Sequence, residues 1–266
     1  MTIKISEKRE KENNREYAYR LLRSNIMTLQ LMPGATLNEG ELTELLGISR
    51  TPIHEAIIML KEESLVDVFP QSGSRVSMIH IDILKEGYFV RSVIEPEIIR
   101  QIAGNIKEEG MKILKDNLDR QKAALEDEEK IDPFFKLDDE FHHLIYTMAG
   151  KQKTWYAMKK VSSHYDRVRY LDAIMNKTDL TAIHQEHRDI YHMLLLGLSV
   201  DFDLKIFYDR HLGTYRRHFQ EILEKYPEYF CWQRVKVKCD IKSAQKVYGK
   251  FIINLHNLYL PLTCDV

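Results

Sequence analysis

The stretch GISRTPIHEAIIML, residues 47–60, sets a glycine, a serine, an arginine, a threonine and a proline directly against an apolar-periodic run. Gly47 is a good terminator for the short pattern before it, EGELTELL, in which Leu42, Leu45 and Leu46 share one side. Ser49 can cap the helix that follows, Pro52 lies where a missing N–H costs nothing, and Ile53, Ile57 and Leu60 form a buried stripe. Upstream, Tyr17, Leu21, Leu22, Ile26 and Leu29 recur at three- and four-residue steps and predict an amphipathic helix over Asn13–Leu31, stopped by Met32, Pro33 and Gly34. Downstream, LVDVF (65–69) and RVSMI (75–79) predict two short strands around a Pro/Gln/Ser/Gly/Ser turn. Helix, short helix, tight turn, helix, hairpin is the plan of a winged helix-turn-helix, whose third helix enters the major groove of DNA.

The crowding of polar groups at the start of that third helix fits such a role. Helix N-terminal N–H groups attract phosphate, Ser49 and Thr51 can donate to phosphate oxygens, and Arg50 can reach a guanine edge or the backbone. Ser-x-x-Pro is equally an ordinary capping sequence; the surrounding helices and hairpin are what turn the reading toward double-stranded DNA.

The whole chain bounds the rest. Its 266 residues suffice for one large or two ordinary domains, and 44% hydrophobic with 30% charged residues is a globular composition. A net charge of -1 hides any local patch. The start, MTIKISEKREKENNREY, is charged where a signal peptide needs an apolar centre, and no run nears 18 apolar residues, so a cytoplasmic protein without membrane partners is expected. Cys231, Cys239 and Cys264 lack C-x-x-C spacing and read as incidental thiols.

From Ile81 to Tyr229 there is almost no proline and no strand alternation, only three- and four-residue spacing, which predicts an all-α antiparallel bundle of six or seven helices and a mainly α fold overall. Asp138 and His142, four apart, share one face of a helix as two metal ligands would, and His187 and His211 lie on later predicted helices. One carboxylate with three imidazoles suits a divalent ion such as zinc, nickel, manganese or iron. In a chain with 11 histidines, such spacing also arises by chance, and structural histidines account for it equally well.

Residues 11–78 resemble the DNA-binding domain of the GntR family of bacterial transcription regulators, through Pro33 and Gly34, Glu41 to Gly47, Ser49 to Ala56, Leu65 and Val66, and Gly73. The resemblance implies DNA contacts from Arg50, Thr51 and Gly73, with Ser49, His54 and Arg75 completing the expected set. His54 replaces the family's usual arginine and Gly40 lies where some members carry another, which implies an altered operator or affinity. Residues 82–230, through VRSVIEPEIIRQIA, LDDEFHHLIYTMAG, EHRDIYHMLLLG and RHLGTY, are similar to the FCD effector-binding domain of the FadR-like subgroup. That similarity implies a divalent ion held by Asp138, His142, His187 and His211. His143, His184, His192 and His218 fall at non-matching positions, and GLSVDFDLK stretches the family's usual Gly-Asp ahead of the His211 helix.

Such an ion beside a buried arginine is a receptor for a small carboxylate. Arg91, with Glu95 four residues on, is the first candidate for that arginine, with Arg167 and Arg169 behind it. The resemblance further implies a homodimeric repressor released by an organic or sugar acid. The alternative is a metal-dependent enzyme acting on a small carboxylate, against which no general base is placed by motif. Residues 231–266, a tail of unassigned role, lie beyond both resemblances.

Overall fold

The computed structural model describes residues 3–127, 129–175 and 178–231. The tail, apart from Cys231, lies outside the described residues, as do Cys239 and Cys264.

Helix α1 (Asn14–Met27) opens on a capping box, in which the Asn13 side chain accepts from the Glu16 N–H and Glu16 accepts from the Asn13 N–H. It ends four residues before the expected Leu31, because Leu29 turns into the left-handed region at φ 56°. After strand β1 (Thr36–Leu37), α2 (Glu39–Leu46) closes on Gly47 at φ 64°, as its glycine predicts. Helix α3 (Arg50–Glu62) follows at once. Ser49 occupies its N-cap position, but the expected side-chain cap bond is not made. Ile53, Ile57 and Leu60 are buried against Leu22 and Ile26 of α1 and against the sheet.

That sheet has three antiparallel strands in the order β1-β3-β2, with β2 (Val66–Phe69) and β3 (Gly73–Val76) forming the wing. Strand β1 was not expected, and the predicted 75–79 strand is shifted and split. Gly73, at φ 84°, starts the return strand immediately after the turn, and β3 ends where the backbone of Val76 bonds Gly34 and Ala35. Ile79 belongs instead to β4 (Ile79–His80), which pairs in parallel with β5 (Phe230–Cys231).

The second half comprises α4 (Ile81–Ile102), α5 (Glu108–Ala124), α6 (Ile131–Met148), α7 (Gln152–Val161), α8 (Ser163–Ile174), α9 (Leu180–Leu196), α10 (Leu204–Leu212) and α11 (Phe219–Lys225), with short 3-10 turns around α11. The described residues thus hold eight α-helices here rather than six or seven. The helical path breaks at Ser162, a residue with no breaker character, and again at the 3-10 turn Thr214–Arg217 that separates α10 from α11. No described helix is long and apolar enough to cross a membrane.

Helix α4 crosses the α7–α8 junction at Gly87, where a Cβ would lie 2.9 Å from Ser162 Cα and 3.1 Å from the Val161 carbonyl oxygen. Both neighbours are backbone atoms, so they cannot yield by a rotamer change. Gly87→Val is expected to lower stability by about 1–3 kcal/mol through overpacking; urea unfolding monitored by circular dichroism would read this as a lower midpoint.

Helix α8 grips the N-terminal domain through its first turn. Ser163 Oγ donates to the Glu63 carbonyl at 2.9 Å and His164 Nε2 to the Ser64 carbonyl at 2.9 Å, while the His80 N–H donates to His164 Nδ1 at 2.9 Å. Arg167 donates to the Ser77 carbonyl at 2.8 Å and to Ser77 Oγ at 3.2 Å. Burial pushes the His164 imidazole down to about 3, which keeps it the neutral tautomer these bonds require. Burial likewise pushes the Arg167 guanidinium down to about 9, leaving it charged at neutral pH.

Candidate functional site

The exposed end of α3 carries Ser49, Arg50, Thr51 and His54 on one surface, with Ile53 and Ala56 turned into the core between and behind them. Gly73 at the wing tip and Arg75 on β3 are also exposed. Arg50, 78% exposed along its side chain, donates from Nε to Glu39 Oε2 at 2.6 Å, and His54 Nδ1 lies 2.8 Å from Glu39 Oε1. Burial opposes ionisation of Glu39, yet its bonds to His54 and Arg50 hold the carboxyl below the usual range. A phosphate or base edge must therefore take both side chains from one carboxylate. Glu39 escapes sequence reading because an acid in the first turn of α2 is fully explained by the helix dipole.

The second constellation lies inside the helical domain, where α6 supplies Asp138 and His142, α9 supplies His187 and α10 supplies His211, all buried. One nitrogen of each histidine lies within 4.8 Å of the others. His211 Nε2 is 3.4 Å from His142 Nε2, and His187 Nε2 is 3.4 Å from Asp138 Oδ1. Two ligands each about 2.1 Å from one ion at a tetrahedral angle lie about 3.4 Å apart, a spacing that His142 and His211 meet; the group within reach of one ion comprises the three histidines, with Asp138 beside His187 and outside that group.

The other ring nitrogens explain the orientation. His187 Nδ1 donates to Gln121 Oε1 at 2.8 Å, and Gln121 in turn donates to Asn117 Oδ1 at 2.7 Å. His211 Nδ1 donates to Glu186 Oε2 at 2.9 Å, with Arg210 on the other carboxylate oxygen at 3.0 Å. His142 Nδ1 lies 3.2 Å from Glu95 Oε2. With the Nδ1 protons of His187 and His211 so engaged, their Nε2 lone pairs face inward beside His142 Nε2; His187 Nε2 is buried without a hydrogen-bond partner among the described residues. Burial lowers the His187 imidazole far below its ordinary value and lowers that of His211 as well. Converging imidazole lone pairs repel one another unless a cation lies between them. The residues therefore fit a divalent ion, which would act there as a Lewis-acidic anchor for an anionic oxygen.

Asp138 is also claimed by Arg169, whose guanidinium donates to both its oxygens at 3.0 and 3.3 Å. Burial would raise the Asp138 carboxyl, but Arg169 and the neighbouring imidazoles hold it well below the carboxylate range. Arg91 is buried too, donating to Glu95 Oε1 at 2.7 Å and lying 3.8 Å from Asp166 Oδ1. Glu95 Oε2, Asp166 Oδ1 and Tyr146 Oη are further buried polar atoms without a hydrogen-bond partner among the described residues. The structure thus gathers Arg91 and Arg169 beside the histidines but leaves Arg167 out: its guanidinium is spent on Ser77, on the opposite side of α8. Gln121 and Glu186 were missed, since their roles arise only when α5 packs on α9 and α9 lies beside α10.

The chain matches two families, described as "Bacterial regulatory proteins, gntR family" over residues 14–76 and "FCD domain" over residues 86–197. It is similar to the HTH-type transcriptional repressor RspR of Escherichia coli K12, 35% identical over 176 residues that cover 66% of this chain and 76% of that one. It is also 34% identical over 184 residues to an HTH-type transcriptional regulator in an unstable DNA locus of Streptomyces ambofaciens, covering 69% of this chain and 76% of the relative. Among solved structures, a GntR transcriptional regulator from Rhodococcus sp. RHA1 superposes with a TM-score of 0.61 at 19% identity, covering 80% of this chain and 98% of that one. E. coli McbR/YncC gives 0.59 at 18% identity, covering 80% and 99%. These two likenesses concern the fold.

Proposed function

The chain belongs to the gntR family of bacterial regulatory proteins and is a transcription regulator with an FCD domain; from that premise we propose that it is a homodimeric repressor whose hold on DNA is set by a small organic or sugar acid. In this reading residues 11–78 bind a palindromic operator through Ser49, Arg50, Thr51, His54, Gly73 and Arg75. Residues 82–230 hold a divalent ion on Asp138, His142, His187 and His211 and receive the acid beside Arg91 and Arg169. Arg167 is withdrawn from the effector set.

The observation that carries the reading is the double duty of α8. Its Asp166 and Arg169 reach the groups around the histidine pocket, while Ser163, His164 and Arg167 of the same helix bond the backbone at Glu63, Ser64 and Ser77. A carboxylate arriving at Arg91 or Arg169 competes with Glu95, Asp166 and Asp138 for those guanidiniums. Any resulting shift of α8 is transmitted to the end of α3 and to the join after β3. The size of the response is limited by the acid's differential affinity for the two arrangements.

Selection from a randomised duplex pool at fixed moderate salt tests the first half of the proposal. The expected product is a short palindrome with half-sites about one helical turn apart. Titrating the recovered duplex with citrate, malate and gluconate, with and without zinc or nickel, tests the second. An affinity that moves only when both acid and ion are present supports metal-linked sensing. Enrichment without a palindrome would refute the dimer, and an affinity indifferent to all three acids would refute the acid-sensing role.

A further inference from the structure

A cleft of about 270 Å³ opens between α1 and the helical domain, and Arg169 and Asp166, which also reach toward the histidine pocket, form part of its wall. Its walls come from both halves of the protein: Tyr19, Arg23 and Met27 from α1, Phe135 and Lys136 from α6, Tyr170 from α8. Met27 and Phe135 are only partly buried, and the Phe135 and Tyr170 rings stand 5.6 Å apart at a tilt of 58°, so the cleft offers an apolar slot edged by aromatic rings. Each of its carboxylates already accepts from a neighbouring side chain, although Asp166 does so through Oδ2 alone. Asp139 and Asp166 both accept from Lys159, and Asp132 accepts from Tyr170 and lies 3.5 Å from Lys4. Arg23 is likewise engaged by Glu63 at 2.8 Å. Lys136 is different: exposed at this rim, it has no ion pair among the described residues. The cleft is therefore complementary to a planar apolar body that carries one negative charge, rather than to a cation.

We propose that this cleft is a second small-molecule site, distinct from the histidine pocket, and that it takes an aromatic carboxylic acid, with the ring between Met27, Phe135 and Tyr170 and the carboxylate on Lys136. A molecule seated there touches α1 and α8 at once, so it wedges the reading domain against the helix that grips it.

The test uses the full chain and 1-naphthoate as a fluorescent probe, with the uncharged 1-naphthylmethanol as control. Wild type binds 1-naphthoate saturably at one site per chain and prefers it to the alcohol. Lys136→Glu, on an exposed helical position, weakens 1-naphthoate about tenfold by replacing attraction with repulsion at the rim. Met27→Trp fills the slot and removes binding, while His187→Ala leaves it intact. The proposal is overturned by absence of saturable binding, by equal affinity for the alcohol, or by binding that ignores Lys136→Glu. Binding lost in His187→Ala but retained in Met27→Trp also overturns it, since that pattern puts the probe in the histidine pocket. Citrate titration of Met27→Trp on the recovered operator reports separately on the histidine pocket, so failure of one site does not imply failure of the other.

Discussion

If the proposed ion site is occupied, replacing His187 by alanine is expected to abolish the stabilisation that added divalent metal gives the protein. An ion that binds only the folded chain stabilises it by about 2.7 kcal/mol at a free concentration one hundred times its Kd. For a domain of this size that corresponds to a rise in Tm of roughly 5–10 °C, at about 2–4 °C per kcal/mol. His187 is the decisive position because its Nε2 is buried without a hydrogen-bond partner among the described residues and lies 3.4 Å from Asp138 Oδ1, while its Nδ1 is fixed by Gln121. Alanine removes one of three converging nitrogens and leaves His142 and His211 as a pair. The measurement is Tm against added zinc, nickel or manganese for wild type, His187→Ala and His143→Ala, with metal content of the purified chains by mass spectrometry. His143 stacks on Trp155 and stands outside the cluster, so its variant should keep the full response. An equal metal response in His187→Ala would refute the ion site.

The second large effect is expected from Arg50→Ala on specific DNA binding. A good bidentate contact to a base is worth about 1–3 kcal/mol, and a dimer on a palindrome would make it twice, so the loss is about 2–6 kcal/mol, or roughly thirtyfold to twenty-five-thousandfold. Removing Arg50 also frees Glu39 Oε2, bringing an uncompensated carboxylate toward the phosphates. Glu39→Gln in the same background should recover part of the lost affinity. Fluorescence anisotropy with the selected duplex and a scrambled one, at a single salt concentration, separates specific from non-specific loss. If Arg50→Ala weakened both duplexes equally, Arg50 would be a phosphate contact without a role in reading sequence.

The reading domain was legible wherever local backbone chemistry decides the structure. Gly47 ends α2 and Pro52 opens α3 without any help from distant residues, and the Leu22, Ile53, Ile57 and Leu60 periodicity puts the core where it belongs. Two-residue strands such as β1 and β4 carry no periodicity, and their existence depends on partners that arrive much later in the chain. In the pocket, the Asp138 and His142 spacing was visible within one helix, whereas His187 and His211 were matched through family resemblance alone. Their supporting groups, Gln121 and Glu186, were invisible because an acid or amide on a helix has many ordinary uses until packing gives it a partner. The arginines are more instructive. Residues two apart on a helix point away from each other, so Arg167 and Arg169 could never both face one pocket. That conflict was present in the sequence, and the structure resolves it by giving Arg167 to Ser77 and Arg169 to Asp138.

The parallel pairing of Ile79 with Phe230 and His80 with Cys231 closes a loop of roughly 150 residues. Contacts of such long sequence separation form late, and none of the wing or α3 packing requires this one. As the chain is synthesised, residues 14–76 can complete their own core before Phe230 exists. A nascent or prematurely terminated chain would thus display a finished reading head on a join that is not yet clipped, able to occupy DNA while lacking the fixed posture of the mature protein. The order of synthesis therefore makes the reading head an earlier acquisition than the clip that fixes its join.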